Sequence, residues 1–210
     1  MKIYVLHLGQ IGTNCYIFHE ENRKKCGIVD PSDHGEQVVA WLMGRGLEPE
    51  AVLLTHGHFD HILGIPGLRK KWPNLTVYCH PADEGKVNST QTFGQTFPTV
   101  HSFGNITPYR EGDTVNVAGC TVRVMETPGH TPGSVTLRVG RVLFTGDTLF
   151  AGSMGRIDLP GGNEELIMSS LRRLYRLGDD YQVFPGHEGQ TTLKQERESN
   201  PFMRKAVYGR

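Results

Sequence analysis

The chain has 210 residues, with 22 Lys or Arg and 22 Asp or Glu, which gives a formal net charge of zero. This balance gives no reason to expect binding to nucleic acid or to an anionic membrane surface. No apolar run approaches the roughly 18 residues that cross a bilayer, and the first residues show no signal-peptide cleavage pattern. The length suits one domain over residues 1–210 with a sizeable core. We therefore expect a cytoplasmic protein that acts on a small molecule.

Cysteine usage supports the same compartment. The four cysteines are widely spaced along the chain: Cys15, Cys26, Cys79 and Cys120. Without a Cys-x-x-Cys pair, neither a disulfide framework nor a thiolate zinc site is indicated. We expect four free thiols in a reducing environment, which agrees with a cytoplasmic location.

The predicted elements alternate between short strands and helices. Short apolar or alternating runs bounded by turn residues predict strands, and apolar residues at helical spacing predict helices. In the first half these are strands at 3–8, 15–18 and 26–29, a helix at 33–43, a strand at 52–54, a helix that runs to 71, and a strand at 75–79. In the second half they are strands at 115–117, 121–126, 135–139 and 142–145, a helix at 164–177, a strand at 181–184 and a helical tail. Wholly apolar strands mixed with helices predict sheets that are covered by helices.

The segment 86–106 has no clear periodicity and is long for a passive connection. It is rich in Thr, Ser, Gln and Gly and contains Phe93, Phe97 and Phe103. One hypothesis is a surface loop whose Phe residues attach it to the body of the protein. The other is a lid over the functional site.

Three histidines and one aspartate are crowded into the segment that follows the apolar run 51–55: His56, His58, Asp60 and His61. Crowding imidazoles and a carboxylate together is unfavourable unless a cation holds them. An isolated histidine is usually a surface residue or a hydrogen-bonded core residue. Four candidate ligands at this spacing instead indicate a metal site.

Three further predicted strands lead into a turn marked by Gly or Pro that carries one candidate ligand. These ligands are His130, Asp147 and His187. Glycine allows backbone conformations and close approaches that a bulkier residue obstructs. Each side chain alone is compatible with an ordinary turn residue, but four strand ends of this kind predict convergence on one centre.

Seven nitrogen and oxygen ligands exceed the three or four that one catalytic zinc ion uses, so they imply two metal ions. Two divalent cations, two carboxylates and a bridging hydroxide together carry a charge of about +1. Such a centre polarises a carbonyl, stabilises an oxyanion and supplies a water that is deprotonated near neutral pH. Asp147 suits the bridging position because a carboxylate has two oxygens, whereas an imidazole offers one free nitrogen. We expect Asp60 and Asp147 to be the catalytic carboxylates.

These residues give the chain a resemblance to the metallo-β-lactamase superfamily, whose hallmark Thr-His-x-His-x-Asp-His matches segment 55–61. Within it, the chain resembles the glyoxalase II-like (hydroxyacylglutathione hydrolase-like) branch, and its compact members most of all. The other matching segments are Gly-His-Thr-Pro-Gly-Ser at 129–134, Phe-Thr-Gly-Asp-Thr-Leu-Phe at 144–150 followed by Gly155 and Arg156, Pro-Gly-His at 185–187, and Asn-Pro-Phe-Met-Arg at 200–204. The similarity covers nearly the whole chain.

The resemblance implies a fold, a ligand assignment and a metal. The fold is α+β, an αβ/βα four-layer sandwich in which two sheets pack together with helices outside. The implied ligand sets share Asp147: His56, His58 and His130 for one metal ion, and Asp60, His61 and His187 for the other. Zinc is the expected metal, and these ligands also suit iron and manganese.

The chain departs from full-length glyoxalase II enzymes where those bind glutathione. Their C-terminal helical region must be missing or much shortened here, because 23 residues follow His187. Asp158 and Gly189 stand at the places where those enzymes carry aromatic hydroxyls. Arg156 does match a basic residue that contacts glutathione. It is either a two-point clamp for a substrate carboxylate or a surface residue that stabilises its Gly-rich loop.

The leading hypothesis is hydrolysis of a thioester, such as an S-2-hydroxyacyl glutathione, by a metal-bridging hydroxide. The leaving thiolate needs little help from a general acid, since thiols ionise at about pH 8.5. A mononuclear iron persulfide dioxygenase and a lactone hydrolase of the same fold are the alternatives, beside a non-catalytic fold that a metal stabilises. Class B β-lactamases match less well, because they resemble secreted proteins and several use Cys where this chain has Asp147. The sequence leaves the oligomeric state open.

The remaining acidic and histidine residues carry weaker signals. Asp30, at a predicted strand end, either orients a metal ligand or is an ordinary turn carboxylate. The other histidines have no partner pattern, and we interpret them as structural: His7, His19, His34, His80 and His101.

Overall fold

Two large β-sheets face each other and leave a short hairpin, β11–β12, at one side. The computed structural model describes residues 1–90, 99, 102 and 104–209. The strands of the first sheet are β1 (Lys2–Leu8), β2 (Thr13–His19), β3 (Lys25–Val29), β4 (Glu48–Leu53), β5 (Thr76–Cys79) and β6 (Thr107–Pro108). The later strands are β7 (Thr114–Val117), β8 (Cys120–Glu126), β9 (Val135–Val139), β10 (Val142–Gly146), β11 (Leu149–Phe150), β12 (Ser153–Met154), β13 (Gln182–Pro185) and β14 (Thr191–Thr192).

The helices lie on the outer faces of the two sheets. They are α1 (Gly35–Met43), α2 (Phe59–Ile62), α3 (Ile65–Lys71), α4 (Glu84–Val87), α5 (Glu164–Tyr175), α6 (Leu193–Ser199) and α7 (Pro201–Tyr208), with a 3-10 turn at Pro81–Asp83. Within the described ranges, none of these helices is long and apolar enough to cross a membrane.

Strand direction brings several loops to the same place. The first sheet has the order β1-β2-β3-β4-β5-β6, with parallel pairing from β3 onward. The second has the order β14-β13-β10-β9-β8-β7, in which β10 and β13 run parallel. Parallel neighbours end at the same edge of a sheet. The loops after β3, β4 and β5 therefore share one edge, and so do those after β10 and β13.

Alternating side chains along the strands create the layers. In β2, Cys15 and Ile17 pack with the outer helices α1 and α3, whereas Tyr16 and Phe18 pack against the second sheet. Successive side chains of a strand point to opposite faces, so a fully apolar strand is buried on both sides. Burying one such side chain fully contributes about 1.5–3 kcal/mol.

The second sheet follows the same rule with the helices of the other outer layer. Phe144 in β10 faces the first sheet, and Leu143 faces α5 and α7. The layers are therefore helix, sheet, sheet and helix. This confirms the expected α+β, αβ/βα four-layer sandwich.

The helix expected to run to residue 71 is in fact two, α2 and α3, separated at Leu63 and Gly64. The amide of Gly64 donates to the carbonyls of Pro31 and Ser32, at 2.8 and 3.1 Å. Pro66, near the start of α3, has no amide hydrogen with which to continue the helical bonding. The interruption ties the start of α3 to the loop after β3.

The helical tail is likewise two helices. Asn200 lies between α6 and α7, and its side-chain oxygen accepts hydrogen bonds from the amides of Phe202 and Met203. Asparagine at this position caps the second helix and ends the first. The other expected elements are present, with ends that differ by a few residues. Most of segment 86–106, including Phe93, Phe97 and Phe103, lies outside the described residues, so the loop and lid hypotheses both stay open.

We expect Gly35→Ala to lower the free energy of unfolding by about 1–3 kcal/mol, the usual cost of overpacking. A Cβ atom there would lie 2.1 Å from the carbonyl oxygen of Gly64, where α1 and α3 touch. Gly85→Ala is the matched control, because nothing lies within 4 Å of its added Cβ. Urea unfolding of both variants measures the difference; equal stability would contradict the contact.

Candidate metal centre

Four loops from the two sheets converge at one edge of the molecule. The loop after β4 carries His56, His58 and the helix α2, and the loops after β8, β10 and β13 carry one candidate ligand each. The two sheets are joined beside this centre, where the amide of Val135 donates to the carbonyl of Thr55 at 2.8 Å. Backbone pairing thus fixes how the loops face each other.

The first group of side chains is a three-histidine cluster, His56, His58 and His130. Their ligand nitrogens lie within 4.8 Å of one another. Nδ1 of His58 is 2.8 Å from Nε2 of His130. His56 and His130 are almost fully buried, whereas His58 is partly exposed. The cluster is therefore open to solvent on the side of His58.

The second group is the Asp60 cluster, formed by Asp60, His61 and His187, whose ligand atoms also lie within 4.8 Å of one another. Oδ2 of Asp60 is 3.5 Å from Nε2 of His61 and 3.3 Å from Nε2 of His187. His61 is completely buried, while the side chains of Asp60 and His187 keep 15% and 21% of their surface exposed. Those two side chains border the opening of the centre.

Asp147 lies between the two clusters. Its Oδ2 is 3.4 Å from Nε2 of His130 and 3.4 Å from Nε2 of His187, and its Oδ1 is 3.4 Å from Nε2 of His61. One carboxylate thus approaches nitrogens of both clusters. The structure brings all seven candidate ligands into one centre, with Asp147 in the position that suits a bridge.

Three of the histidines are held through Nδ1, which leaves Nε2 facing the centre. Nδ1 of His61 donates to Oδ2 of Asp30 at 2.9 Å, and Nδ1 of His130 donates to the backbone carbonyl of Arg156 at 2.7 Å. His56 donates to Thr55 Oγ1 at 3.1 Å. Such bonds fix the ring orientation and the tautomer of metal-binding histidines. No sequence motif predicts the contact with the Arg156 carbonyl.

Of the two interpretations of Asp30, its contacts favour the one in which it orients a ligand. Oδ1 accepts from the amide of Thr55, and Oδ2 accepts from the hydroxyl of Thr55 and from His61. Its oxygens also lie near His56 and His61, but both are already used in these bonds. The residue has φ of 49°, a conformation that Asp tolerates better than most residues.

Thr13 was not predicted as a site residue. Its hydroxyl donates to Oδ2 of Asp60 at 2.8 Å. Next to it, the side chain of Asn14 donates to the carbonyls of Pro185 and Glu188, which flank His187. No motif surrounds these two residues, and only the pairing of β2 with its neighbours places them at the centre.

Glycine at position 186 allows the close packing of the ligands. A Cβ atom there would lie 2.1 Å from Oδ1 of Asp147 and 2.8 Å from the His61 ring. Any larger residue would occupy the space in which the two clusters meet.

Burial and neighbouring imidazoles lower the pKa values of two members of the three-histidine cluster, His56 and His58. Burial, with His61 and His130 nearby, lowers the pKa of His56 well below its usual 6.5. Burial and the neighbouring His130 lower the pKa of His58 to about 3. Neutral imidazole is the form that binds a metal.

The Asp60 cluster has the opposite balance. Burial acts to lower the pKa of His61, but Asp60, Asp147 and Asp30 outweigh it and raise that pKa to about 9. Burial likewise opposes Asp147 and Asp60 at His187, whose pKa rises to about 10. Burial acts to raise the pKa of Asp60 and of Asp147, yet the neighbouring histidines lower both. In the metal-free protein the cluster consists of imidazolium and carboxylate groups.

The residues present fit two divalent cations. Three buried atoms at the centre of the described structure have no hydrogen-bond partner: Nε2 of His56, Nε2 of His61 and Oδ1 of Asp147. Buried polar atoms are nearly always paired, so such a group calls for a ligand or an ion. Imidazole nitrogens and carboxylate oxygens are the donors that zinc, iron and manganese accept.

Arg156 is exposed at the rim and paired with its neighbour Asp158. Nε and Nη2 of Arg156 donate to the two carboxylate oxygens of Asp158 at 2.7 and 2.6 Å. This is the two-point geometry in which a guanidinium binds any carboxylate. The backbone carbonyl of Arg156 contacts His130 at the centre, and its guanidinium is occupied by a partner from the chain.

The other histidines in the described ranges lie outside both clusters. His7 and His34 are exposed, His19 is buried, and His80 is bonded to Glu126 at 2.9 Å. His101 lies outside the described residues.

A cavity of about 110 Å³ adjoins the open side of the Asp60 cluster. Its lining is mostly apolar, from Leu8, Ile11, Phe59 and Leu63, with polar groups from Gln10, Thr13, Asp33, His34 and Asp60. The cavity lies between the β1–β2 turn and α2. It offers an apolar space beside a candidate metal ligand.

Comparison with known families identifies the class of protein. The pattern of the metallo-β-lactamase superfamily matches residues 8–187. The chain therefore belongs to the metallo-β-lactamase superfamily, a family of metal-dependent hydrolases. The superfamily expected from the sequence is confirmed.

Two relatives match the chain almost from end to end. The probable metallo-hydrolase YqgX of Bacillus subtilis is 32% identical over 97% of this chain and 98% of its own. The hydroxyacylglutathione hydrolase GloC of Haemophilus influenzae is also 32% identical, over 97% of this chain and 98% of its own. The similarity to GloC agrees with the expected glyoxalase II-like branch.

Solved structures show the same fold. The B3 metallo-β-lactamase BLEG-1 superposes with a TM-score of 0.88 at 32% identity, over 96% of this chain and 99% of its own. TTHA1623, in a di-iron-bound form, gives 0.82 at 36% identity, over 95% and 99%. ETHE1 from Myxococcus xanthus gives 0.76 at 26% identity, over 99% and 91%.

Binding of a metal ion to the Asp60 cluster should release protons. Its histidines, with pKa values of about 9 and 10, are protonated at pH 7.5 and must become neutral to bind a metal. We expect about two protons per ion there, and weaker binding as the pH falls. His56 and His58 release none, because they are already neutral. Calorimetric titration with Zn²⁺ in two buffers of different ionisation enthalpy counts the protons.

His187→Gln is the control for this count, because it removes one of the two titrating rings and should release one proton fewer. The same apparent binding heat in both buffers would contradict the assignment.

Proposed function

We propose that this protein is a binuclear metal-dependent hydrolase of thioesters, such as S-2-hydroxyacyl glutathione. The observation that carries the proposal is the position of Asp147, whose carboxylate lies 3.4 Å from histidine nitrogens of both clusters. The proposed ligands are His56, His58 and His130 for one ion, Asp60, His61 and His187 for the other, and Asp147 for both. Zinc is our expected metal, and the di-iron-bound form of TTHA1623 supports iron as an alternative.

Two divalent cations in these clusters would supply a water that is deprotonated near neutral pH and an electrophile for the acyl oxygen. Side chains of the chain itself would hold the two ligand sets together and orient the water. Asp147 holds the two ligand sets together across the centre. Asp60, which stays ionised because the neighbouring histidines lower its pKa, can accept a hydrogen bond from the attacking water and orient it. Thr13 donates to Oδ2 of that carboxylate, the oxygen that also faces His61 and His187.

A thioester suits this centre because its leaving group needs no proton donor. The partly exposed side chains of the two clusters are His58, Asp60 and His187, and we assign all three as ligands. None of them is a spare general acid. A thiolate leaves without protonation at neutral pH, since thiols ionise at about pH 8.5.

The cavity beside Asp60 is suited to the acyl group. It has a volume of about 110 Å³ and a mostly apolar lining, and Asp60 is one of its lining residues. We propose that it accepts a short acyl chain, with Ile11 and Phe59 against the carbon atoms.

Arg156 is the proposed contact for a carboxylate of the thiol moiety. The carboxylate would replace that of Asp158, which already holds the guanidinium in two-point fashion. Because both groups are exposed, the exchange costs little burial energy. Glutathione carries two carboxylates, and thioesters of uncharged thiols should therefore bind with higher KM.

The central test is an activity panel with the metal-loaded protein, comparing S-2-hydroxyacyl glutathione, an uncharged thioester, a lactone and a β-lactam. We expect the glutathione thioester to be preferred. Asp147→Ala should reduce kcat/KM by about 100-fold or more, because losing even a neighbour of a metal ligand costs about 10–100-fold. It should also loosen the second metal ion, measured as metal content per chain.

Asp179→Ala is the control, since Asp179 is exposed and paired with Arg141 far from the centre. A metal-loaded protein that cleaves no thioester would refute the substrate assignment. Full activity and two bound ions in Asp147→Ala would refute the role of Asp147.

The size of the acyl cavity makes a second prediction. Ile11→Trp should narrow the cavity and therefore reduce kcat/KM more for four-carbon acyl thioesters than for acetyl thioesters. We expect a relative reduction of about 10-fold, which is the lower end of the effect of one methylene group in a pocket. Ile11 is 42% exposed, so the larger ring is compatible with folding. Met43→Trp, at another exposed position, is the control. Unchanged selectivity in Ile11→Trp would place the acyl chain elsewhere.

A mononuclear iron persulfide dioxygenase is the second candidate, because the same ligands suit iron and the di-iron-bound form of TTHA1623 shows that a similar protein binds this metal. Metal content together with oxygen uptake on glutathione persulfide separates the two candidates. One iron per chain and persulfide-dependent oxygen uptake would favour the dioxygenase. Two ions and no oxygen uptake would favour the hydrolase. Hydrolysis of the lactone in the activity panel would identify a lactone hydrolase.

A further inference from the structure

A buried carboxylate outside both clusters joins the two loops that carry the three-histidine cluster. Asp83 has no exposed surface. Its Oδ2 accepts from the amide of Gly57 at 2.9 Å and from the hydroxyl of Thr131 at 2.6 Å, and its Oδ1 accepts from the amide of Gly133 at 3.1 Å. All three donors are neutral.

The positions of these donors matter. Gly57 lies between His56 and His58, and Thr131 directly follows His130. One carboxylate therefore binds the backbone of the loop after β4 and both backbone and side chain of the loop after β8. Thr131 extends the contact, because Ser134 Oγ lies 2.8 Å from its hydroxyl and accepts from its amide at 3.1 Å.

The two glycines allow the carboxylate to come this close. A Cβ atom at Gly133 would lie 2.7 Å from Cγ of Asp83, and one at Gly57 would lie 3.1 Å from its Cβ. The first distance is shorter than real Cβ contacts. Gly133 therefore cannot be replaced without moving Asp83.

Asp83 also occupies the N-cap position of α4 but forms no side-chain capping bond there. Asp at an N-cap usually accepts from an amide of the first helical turn. Here the carboxylate is turned towards the loops instead. Asp83 therefore makes no capping interaction, and its hydrogen bonds lie next to three candidate ligands instead.

We propose that Asp83 is a positioning residue that sets the separation of His56 and His58 from His130, and thereby the affinity of the three-histidine cluster for its metal ion. This rests on the proposed metal centre, but not on the thioester substrate. Asp83 acts through the Gly57 amide and through Thr131, and it does not contact the metal or the substrate.

Asp83→Asn is the sharpest variant, because it keeps the shape and removes one acceptor. An amide group at the Oδ1 position would face the Gly133 N–H, and one at the Oδ2 position would face the Gly57 N–H. Either orientation places donor against donor. We expect the affinity of the three-histidine cluster for Zn²⁺ to fall about 10–100-fold, the usual effect of losing a residue that supports a metal ligand.

Two backgrounds show which cluster is affected. In a His187→Ala protein, which keeps the three-histidine cluster, Asp83→Asn should weaken Zn²⁺ binding measured by chelator competition. In a His58→Ala protein, which keeps the Asp60 cluster, it should change nothing. Thr131→Val should behave like Asp83→Asn, and Thr131→Ser should restore binding. The Thr131→Val and Asp83→Asn effects should be strongly non-additive.

Glu196→Gln is the matched control for general destabilisation. Glu196 is equally buried and accepts from Thr191, Gly152 and Asn200. It should lower the melting temperature of the metal-free protein without changing the affinity of the three-histidine cluster. The proposal is overturned if Asp83→Asn binds Zn²⁺ like the parent protein, or if it weakens both clusters equally.

These readouts need no substrate, so they separate the two proposals. If no thioester is cleaved but Asp83→Asn selectively weakens the three-histidine cluster, the positioning role stands and the substrate is wrong. If thioesters are cleaved and Asp83→Asn binds metal normally, the positioning role is wrong and the proposed substrate stands.

Discussion

The main constraint on this structure is that several buried ligand atoms face one centre without a hydrogen bond. Nε2 of His56 and of His61 and Oδ1 of Asp147 have no hydrogen-bond partner in the described chain, which is costly in a protein interior. The surrounding fold must hold them there. Two sheets, joined at Val135 and Thr55, supply the rigid edge, and a bound cation would remove the cost.

The four carboxylates at this centre fall into two pairs with different functions. Asp60 and Asp147 face the histidine nitrogens directly. Asp30 and Asp83 are buried and accept hydrogen bonds from backbone amides and threonine hydroxyls of the ligand loops. A ligand loop held only by hydrogen bonds within its own turn could shift. Buried carboxylate acceptors restrict such a shift, because amides that lose them would be left unpaired.

The layers and most elements could be predicted from the sequence, because fully apolar strands must be buried on both faces. The helix after the histidine motif could not be placed correctly. Its interruption at Gly64 depends on a hydrogen bond to Pro31, more than thirty residues away. The role of Asp83 was hidden for a related reason: an Asp before a short helix looks like an ordinary cap, and its partners are distant in the chain.

The candidate ligands and the chemistry they allow could be read from the sequence, since residue type decides which atoms bind a cation, and the family resemblance implied the two ligand sets and the bridging place of Asp147. Folding added the distances that bring Asp147 within 3.4 Å of both clusters, and the contacts by which Thr13 meets Asp60 and Asp83 joins two ligand loops. These depend on strand order and on contacts between the two sheets. Local sequence pattern carries no record of such distances, because each is set by two segments that meet only when the chain folds.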